Sequence, residues 1–537
     1  MANFKIQIDS ILGGIAPSLY RGRSDQFATS IGIDPDMPLD QTSAVKTSGV
    51  LVPSSYAEFS STVLTSAVNW IITTPQDSNI YVLCTNGRFI SYNSAFGAET
   101  LIGTIDPAGG NGAVLYNNYI YLANTTDISR YGPLDGTPAL TNNVWTGATL
   151  GTQAALGNAT YPTLRNISLP NHPMHVHSDN KLYVGDFETA DNANQGRGKI
   201  HWIRTEQGTD EGDTNSGTTA NVFYLPYGYA PIDIESWGTD LVIAAIPMHV
   251  AGANNTITSG KAVLFFWDAV NAPSLPYKAV PLIDPLVTAL LNHNGNLSIF
   301  SGNANNGARV SIFEGGYSAK QIAFFEEGVS PYAGCVDGLG NRVAWGAFTT
   351  YPENSASVYA LGYKDANLPL ALHNIINTQA ADTANAMMVT ALKSVQHASF
   401  ISPRFVVAWK DKDSATSASN FGLSNLGSTA RPAVWRSLRY AIGAPFRINK
   451  ITIPLGAAVA ANMTLIPTIF TDQEDTGTAL TTINNTNYAG SERRIVMYPS
   501  VHGNNDLMLQ LRWSGTVVLP VTLPIIIEGE TKEDATA

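Results

Sequence analysis

The sequence predicts an all-β protein, a β-propeller of about seven blades followed by a C-terminal antiparallel β-sandwich. Three observations carry this reading. Short apolar runs recur at Ile80, Ile120, Leu182, Leu241, Leu297, Val343 and Phe405, roughly 40–60 residues apart, the spacing of a unit with room for four short strands. A polar or glycine turn precedes each run, and a second apolar run usually follows, as in Ile80-Tyr-Val-Leu, Thr-Asn-Gly, Ile90-Ser-Tyr. After about residue 430 apolar and polar residues alternate with a period of two, the pattern of half-buried strands.

The leading segment, residues 1–42, holds an apolar stretch around Gly13-Gly14 and then Arg21 and Arg23. It reads as an arm or strap docked on the propeller or on a neighbouring subunit, with Arg21 or Arg23 paired to a carboxylate or to backbone carbonyls. An apolar segment has little reason to lie in water. The propeller spans 43–429. Seven run starts favour seven blades, and the irregular loops leave six or eight open. Its runs are continuous because blades stack face to face and bury a middle strand on both sides. The two ends of this segment are expected to share one blade as a closing strap. Two pieces, PLVTALL and TANAMMVTALKSV, keep a helix-like period and read as brief helices. The sandwich spans 430–530 and is expected to fold on its own; 531–537 is expected to be a flexible tail.

Hydrophobic residues make up 44% of the 537 residues and charged residues only 13%, with a net charge of −12. A sizeable core can form, but phosphate gripping by clustered Lys and Arg is excluded. Cys84 and Cys335 are far apart and read as small buried hydrophobes, not as metal ligands or a disulfide. The N-terminus lacks the apolar core of a signal peptide, and no apolar stretch is long enough to span a membrane as a helix.

Candidate sites follow from residue type and spacing. His172, His175 and His177 form the densest imidazole cluster and are candidate metal ligands, with His175 and His177 sharing a strand face. Glu206, Asp210, Glu211, Asp213 and Asn215, and separately Asp472, Glu474 and Asp475, offer clustered oxygens without the spacing of a calcium loop. The bland reading, interface histidines and solvated acidic loops, is preferred for all three, so no metal or cofactor is assigned. A hydrolytic propeller needs two carboxylates facing one cleft. Asp186, Asp233, Asp268 and Asp337 lie near blade strands, but turn aspartates commonly cap backbone N–H groups. The aromatic stretch Phe223 to Pro231 is a candidate sugar-stacking loop.

LGGIAPSLYRGRSDQFATSIGIDPD, followed by SGVLVP, resembles the segment that leads into bacteriophage tail β-propellers, the tail nozzle (tail tubular protein B) family among them. FRINKITIP, TTINNTNY, LMLQLRWSG and LPIIIE resemble the β-sandwich that closes such proteins. The resemblance covers the two ends of the chain; between them only the repeat character matches. Where nozzle proteins carry basic residues before the proline, this chain reads Ser48 to Pro53. The resemblance implies a non-enzymatic virion protein, assembled in the bacterial cytoplasm into a tail ring, six-fold if nozzle-like. Its partners would be itself, other tail proteins, and genomic DNA in passage only. The alternatives are a tail-tip or fibre module that binds host-surface glycan, and a propeller glycan hydrolase or lyase.

Overall fold

The structure, a computed structural model, describes all residues except 1, 17, 19–21, 36–49, 59–62, 94–97, 106–109, 111, 125–126, 146–171, 189–196, 207–208, 212–221, 252–253, 258–259, 270–275, 304–306, 326–330, 332, 349–355, 363–370, 378–386, 396–403, 412–420, 431, 489, 491–492 and 533–537. Seven antiparallel sheets of four principal strands follow one another along the chain. Their first strands are Val68–Thr73, Gly112–Tyr116, Met174–Val176, Tyr229–Trp237, Leu286–His293, Val336–Leu339 and Met387–Val395. Each packs against the first strand of the next sheet, and Met387–Val395 packs back against Val68–Thr73. The circle is closed, and the fold is a seven-bladed β-propeller.

Each of the seven apolar runs read from the sequence is the second strand of its blade: Ile80–Cys84, Tyr119–Ala123, Leu182–Glu188, Asp240–Ala251, Asn296–Asn303, Arg342–Phe348 and Arg404–Asp411. These strands lie mid-blade, so both faces are covered. All five residues of Ile80–Cys84 are buried, which is why these runs do not alternate. Burial also pushes the Cys84 and Cys335 thiols up to about 12, and both are free.

The turn between the first and second strands has the same chemistry in blades one and three. In Asp77-Ser-Asn-Ile-Tyr81, Asp77 Oδ1 accepts the Asn79 N–H at 3.1 Å and Oδ2 accepts the Tyr81 hydroxyl at 2.6 Å. In Asp179-Asn-Lys-Leu-Tyr183 the same two bonds run from Lys181 N–H at 3.2 Å and Tyr183 O–H at 2.7 Å. One carboxylate shapes the turn and satisfies a tyrosine whose ring is buried. Burial alone would raise both carboxyls, but hydrogen bonds from Thr74, Tyr81 and Asn79 to Asp77, and from the Lys181 ammonium and Tyr183 to Asp179, outweigh it and hold them below the usual range.

The two expected helices are strands. PLVTALL falls in Leu286–His293, with a register shift between Val287 and Ala289, and the described part of the second piece is Met387–Val395, with a shift between Val389 and Ala391, its first four residues lying outside the described residues. A bulge adds one residue and flips the alternation, so a bulged strand loses its period of two and imitates a helical one.

Closure of the ring uses residues from before the first blade. Ser55–Glu58 pairs antiparallel with Phe421–Ala430, Glu58 opposite Ser424, and supplies the fourth strand of blade seven.

The leading segment is not an arm laid over a finished structure. Ala2–Ile8 pairs with Ile525–Thr531 along its whole length, and Thr29–Ile31 pairs with Ala433–Arg436. Both belong to the sandwich, whose sheets are otherwise built from residues after 432. Ile8, Ile11, Phe27 and Ile33 share one core with Trp435, Ile451, Leu509 and Ile527. The physical reason is that a period-two strand with one apolar face needs a sheet edge, and the last strand of the chain offers one. Docking on the propeller does occur, through the stretch between these strands and the residues just after the second. Ile15 packs against the blade-six cluster around Trp345 and Tyr359. Asn374 accepts the Gly32 N–H with its side chain and the Ile33 N–H with its carbonyl, both at 3.0 Å. Arg342 pairs with Asp34 at 3.0 Å. Arg23 is paired to a carboxylate, that of Asp25 at 3.0 Å; Arg21 lies outside the described residues.

Gly14 has φ +75°, and a Cβ there would meet the Leu372 carbonyl oxygen at 2.6 Å. Gly13 abuts the Asp25 carboxylate, 2.6 Å from where its Cβ would stand. Gly14→Ala should therefore destabilise the folded protein by about 2 kcal/mol or more, read as a lowered denaturation midpoint. The expectation that 430–530 folds alone changes as well. A fragment of residues 430–532 should lack a cooperative melt, and adding a peptide of residues 2–34 should restore one. A cooperative melt of the fragment by itself would show that the leading strands are dispensable.

Candidate functional site

The titratable residues concentrate where blades meet, and neighbouring blades share them. On the first strand of blade four, Asp233 is buried. Its Oδ1 accepts the Ile234 N–H at 2.9 Å, and its Oδ2 accepts the N–H of Leu290, on the first strand of blade five, at 2.7 Å. Asp337 joins blades six and seven in a similar way, accepting the Ser394 N–H at 2.6 Å and the Lys393 ammonium at 3.2 Å. Asp186 is buried among His172 and His201, with His172 Nδ1 4.0 Å from Oδ1 and His201 Nε2 3.5 Å from Oδ2. Asp268 sits at the end of its strand near Tyr277. The four aspartates therefore do not converge on one cleft, and Asp233 and Asp337 are spent as clamps on backbone N–H groups.

The histidine cluster splits. His172 faces Asp186 and Gly185, while His175 and His177 reach the next blade. His175 Nε2 and His177 Nδ1 both lie 2.7 Å from Ser236 Oγ, and His177 Nε2 lies 3.2 Å from the Thr239 carbonyl. The two imidazoles do share a strand face. The Thr239 carbonyl can only accept, so His177 carries its proton on Nε2. In the neutral ring Nδ1 is then an acceptor, and the Ser236 hydroxyl donates to it. His175 in turn donates its Nε2–H to Ser236 Oγ. Burial, with each other's charge adding for His175, holds both rings below the ordinary imidazole value, His175 down to about 3. The arrangement is a polar seam between blades three and four in which the serine hydroxyl donates one hydrogen bond and accepts another. Among the described residues no group of three His, Cys, Asp or Glu is placed to hold a metal ion.

Glu235, beside this seam, escaped the sequence reading. Its Oε1 accepts the Ser236 N–H at 2.8 Å and lies 3.5 Å from His175 Nδ1. Burial pushes its carboxyl up to about 7, and burial likewise pushes Asp233 up to about 8. The available signal was a lone glutamate inside an apolar strand, APIDIESW.

The acidic loop around Asp210 offers less. Thr209–Glu211 forms a short strand against Arg197–Glu206, and Asp213 lies outside the described residues. Asp472 accepts the N–H groups of Asn504 and Asn505 at 2.8 and 2.6 Å, so it caps a turn. In the aromatic stretch, Phe223 is buried, and Arg197 lies over both Tyr224 and Tyr227, 4.4 and 4.8 Å from their ring centres. Those rings are already stacked.

The propeller axis holds a cavity of about 280 Å³, walled by first strands of blades one, two and seven and by the start of blade six. Trp70, Thr73, Val114, Ala333, Leu392 and Lys393 are among its lining residues.

No protein-family model and no curated protein matches this chain. Solved structures similar to it include the Pan2 WD40 domain of Neurospora crassa, 9% identical with a TM-score of 0.41 over 69% of this chain and 94% of that one. The Dos1 propeller is 11% identical, with a TM-score of 0.40 over 70% and 95%. The Cps50 (Swd1) propeller domain of Myceliophteria thermophila is 9% identical, with a TM-score of 0.38 over 69% and 99%. Likenesses at this level carry nothing about function.

The acid seam makes a pH-dependent prediction. Glu235 titrates at 4.5 when unperturbed and near 7 here. Between those values the folded protein holds a proton that the unfolded chain has released, so the stability this carboxyl contributes falls as pH rises through that window. Glu235→Gln keeps the acceptor for Ser236 and removes the titration. Relative to the unsubstituted protein, the slope of its thermal midpoint against pH should shift in the positive direction across the same window, as calorimetry would show. An unchanged slope would mean that Glu235 titrates normally.

Proposed function

We propose that this chain is a non-enzymatic structural protein of a bacteriophage virion that assembles with copies of itself into a ring in the tail, of the nozzle type. One observation carries this reading. The two segments that resemble tail propeller proteins lie nearly 400 residues apart in the chain, yet Phe27, Ile33 and Leu51 of the first share one buried sandwich core with Ile451, Leu509 and Ile527 of the second. Segments that together form one module are what a shared assembly module requires.

The use of the acidic residues supports the same reading, since Asp233, Asp337 and the His175–Ser236–His177 seam join blades to one another. In this reading a genome conduit would run through a ring of copies. The net charge of −12 lets DNA pass without the counterion release that makes phosphate contacts sticky.

A second reading, a tail-tip module for host-surface glycan, is favoured by Tyr277 and Tyr317, which are 61% and 79% exposed. Native mass spectrometry of the full chain separates the two. The structural reading expects a closed ring of defined copy number and the same chain in purified phage particles. A monomer whose glycan-array signal is lost on Tyr317→Ala would support the second reading and overturn the first.

A further inference from the structure

We propose that the axial cavity of the propeller is a binding site for a small organic carboxylate, an anion carried on a flat apolar body. The lining fixes the chemistry. Its surface is part apolar and part polar, with Ile71, Val114, Leu115, Leu392 and Trp70 among the lining residues. Lys393 is the one charged residue in that lining.

The ammonium is held in place. It lies 3.2 Å from Asp337 Oδ1, and the other Asp337 oxygen is occupied by the Ser394 N–H at 2.6 Å. An ammonium has three donors; Asp337 takes one, and the Lys393 side chain remains 36% exposed. Asp337 therefore acts as a brace that positions the cation and leaves donors for a ligand oxygen. In a recess partly shielded from water such a charge-assisted hydrogen bond is stronger than in open water. A cavity of about 280 Å³ accepts a single substituted ring and excludes polymers. The pairing of an aromatic face with a positioned cation then selects a carboxylate over a neutral compound of the same shape. The site lies on the propeller axis, apart from the sandwich, and does not depend on ring assembly.

The test uses the full chain, with benzoate as probe, benzyl alcohol as its neutral counterpart and inorganic phosphate as an anion without an apolar body. Isothermal titration calorimetry should show benzoate binding at one site per chain, with benzyl alcohol and phosphate weaker by about tenfold or more, a difference of about 1.4 kcal/mol. Lys393→Gln should weaken benzoate by about tenfold. Val114→Phe fills the cavity without touching the cation and should abolish benzoate binding while leaving the circular dichroism melt cooperative. Absence of benzoate binding, or benzoate affinity unchanged in Val114→Phe, would overturn the proposal. So would phosphate binding as tightly as benzoate. If Lys393→Gln does not fold, Val114→Phe and the neutral compound still decide it.

Discussion

The pairing of Ser55–Glu58 with Phe421–Ala430 is the contact on which the rest of the structure depends. A blade of four strands has two apolar faces and can cover both only when it has a neighbour on each side. Six of the seven blades are continuous in sequence, and the seventh takes its fourth strand from ahead of the first. That one pairing turns a row of sheets into a ring, so that Val68–Thr73 can pack against Met387–Val395. It also brings the two ends of the chain to one place. Ala2–Ile8 and Thr29–Ile31 can reach their partners after residue 432 because the ring has returned the chain to its start.

Polar groups buried between the blades complete what apolar packing begins. A carboxylate taken from water is costly unless backbone donors meet it, and Asp233 and Asp337 meet donors on the blade that follows. Such contacts depend on the angle between blades, because a clamp closes only at hydrogen-bond distance. The two histidines on Ser236 act in the same way between blades three and four. The clamps thus specify one arrangement where apolar contact alone would tolerate sliding.

Much of the propeller was legible in the sequence because a strand buried on both faces must be continuously apolar, and seven such runs mark seven second strands. The first strands were harder. Bulges between Val287 and Ala289 and between Val389 and Ala391 break their alternation and made two of them resemble helices. The leading strands misled for another reason. Ala2–Ile8 alternates in burial as any edge strand does, but nothing local says that its partner is the far end of the chain. At the candidate site, His175 and His177 were visible as a pair on one face, whereas Ser236, Thr239 and Glu235 come from the next blade, some 60 residues on. Contacts across a blade boundary leave no spacing signal. Arg23 found its carboxylate only two residues away, a pairing that local sequence did make available.

Hydrogen exchange measured by mass spectrometry on the full chain tests the closed ring most directly. A strand that closes a blade has its amides paired and opens only with the sheet it belongs to. Peptides covering Ser55–Glu58 and Phe421–Ala430 should therefore be protected and exchange together, at the rate of the blade-seven strand Arg404–Asp411. Rapid exchange of Ser55–Glu58 while Arg404–Asp411 stays protected would contradict the account, because the ring would then be standing without its closing strand.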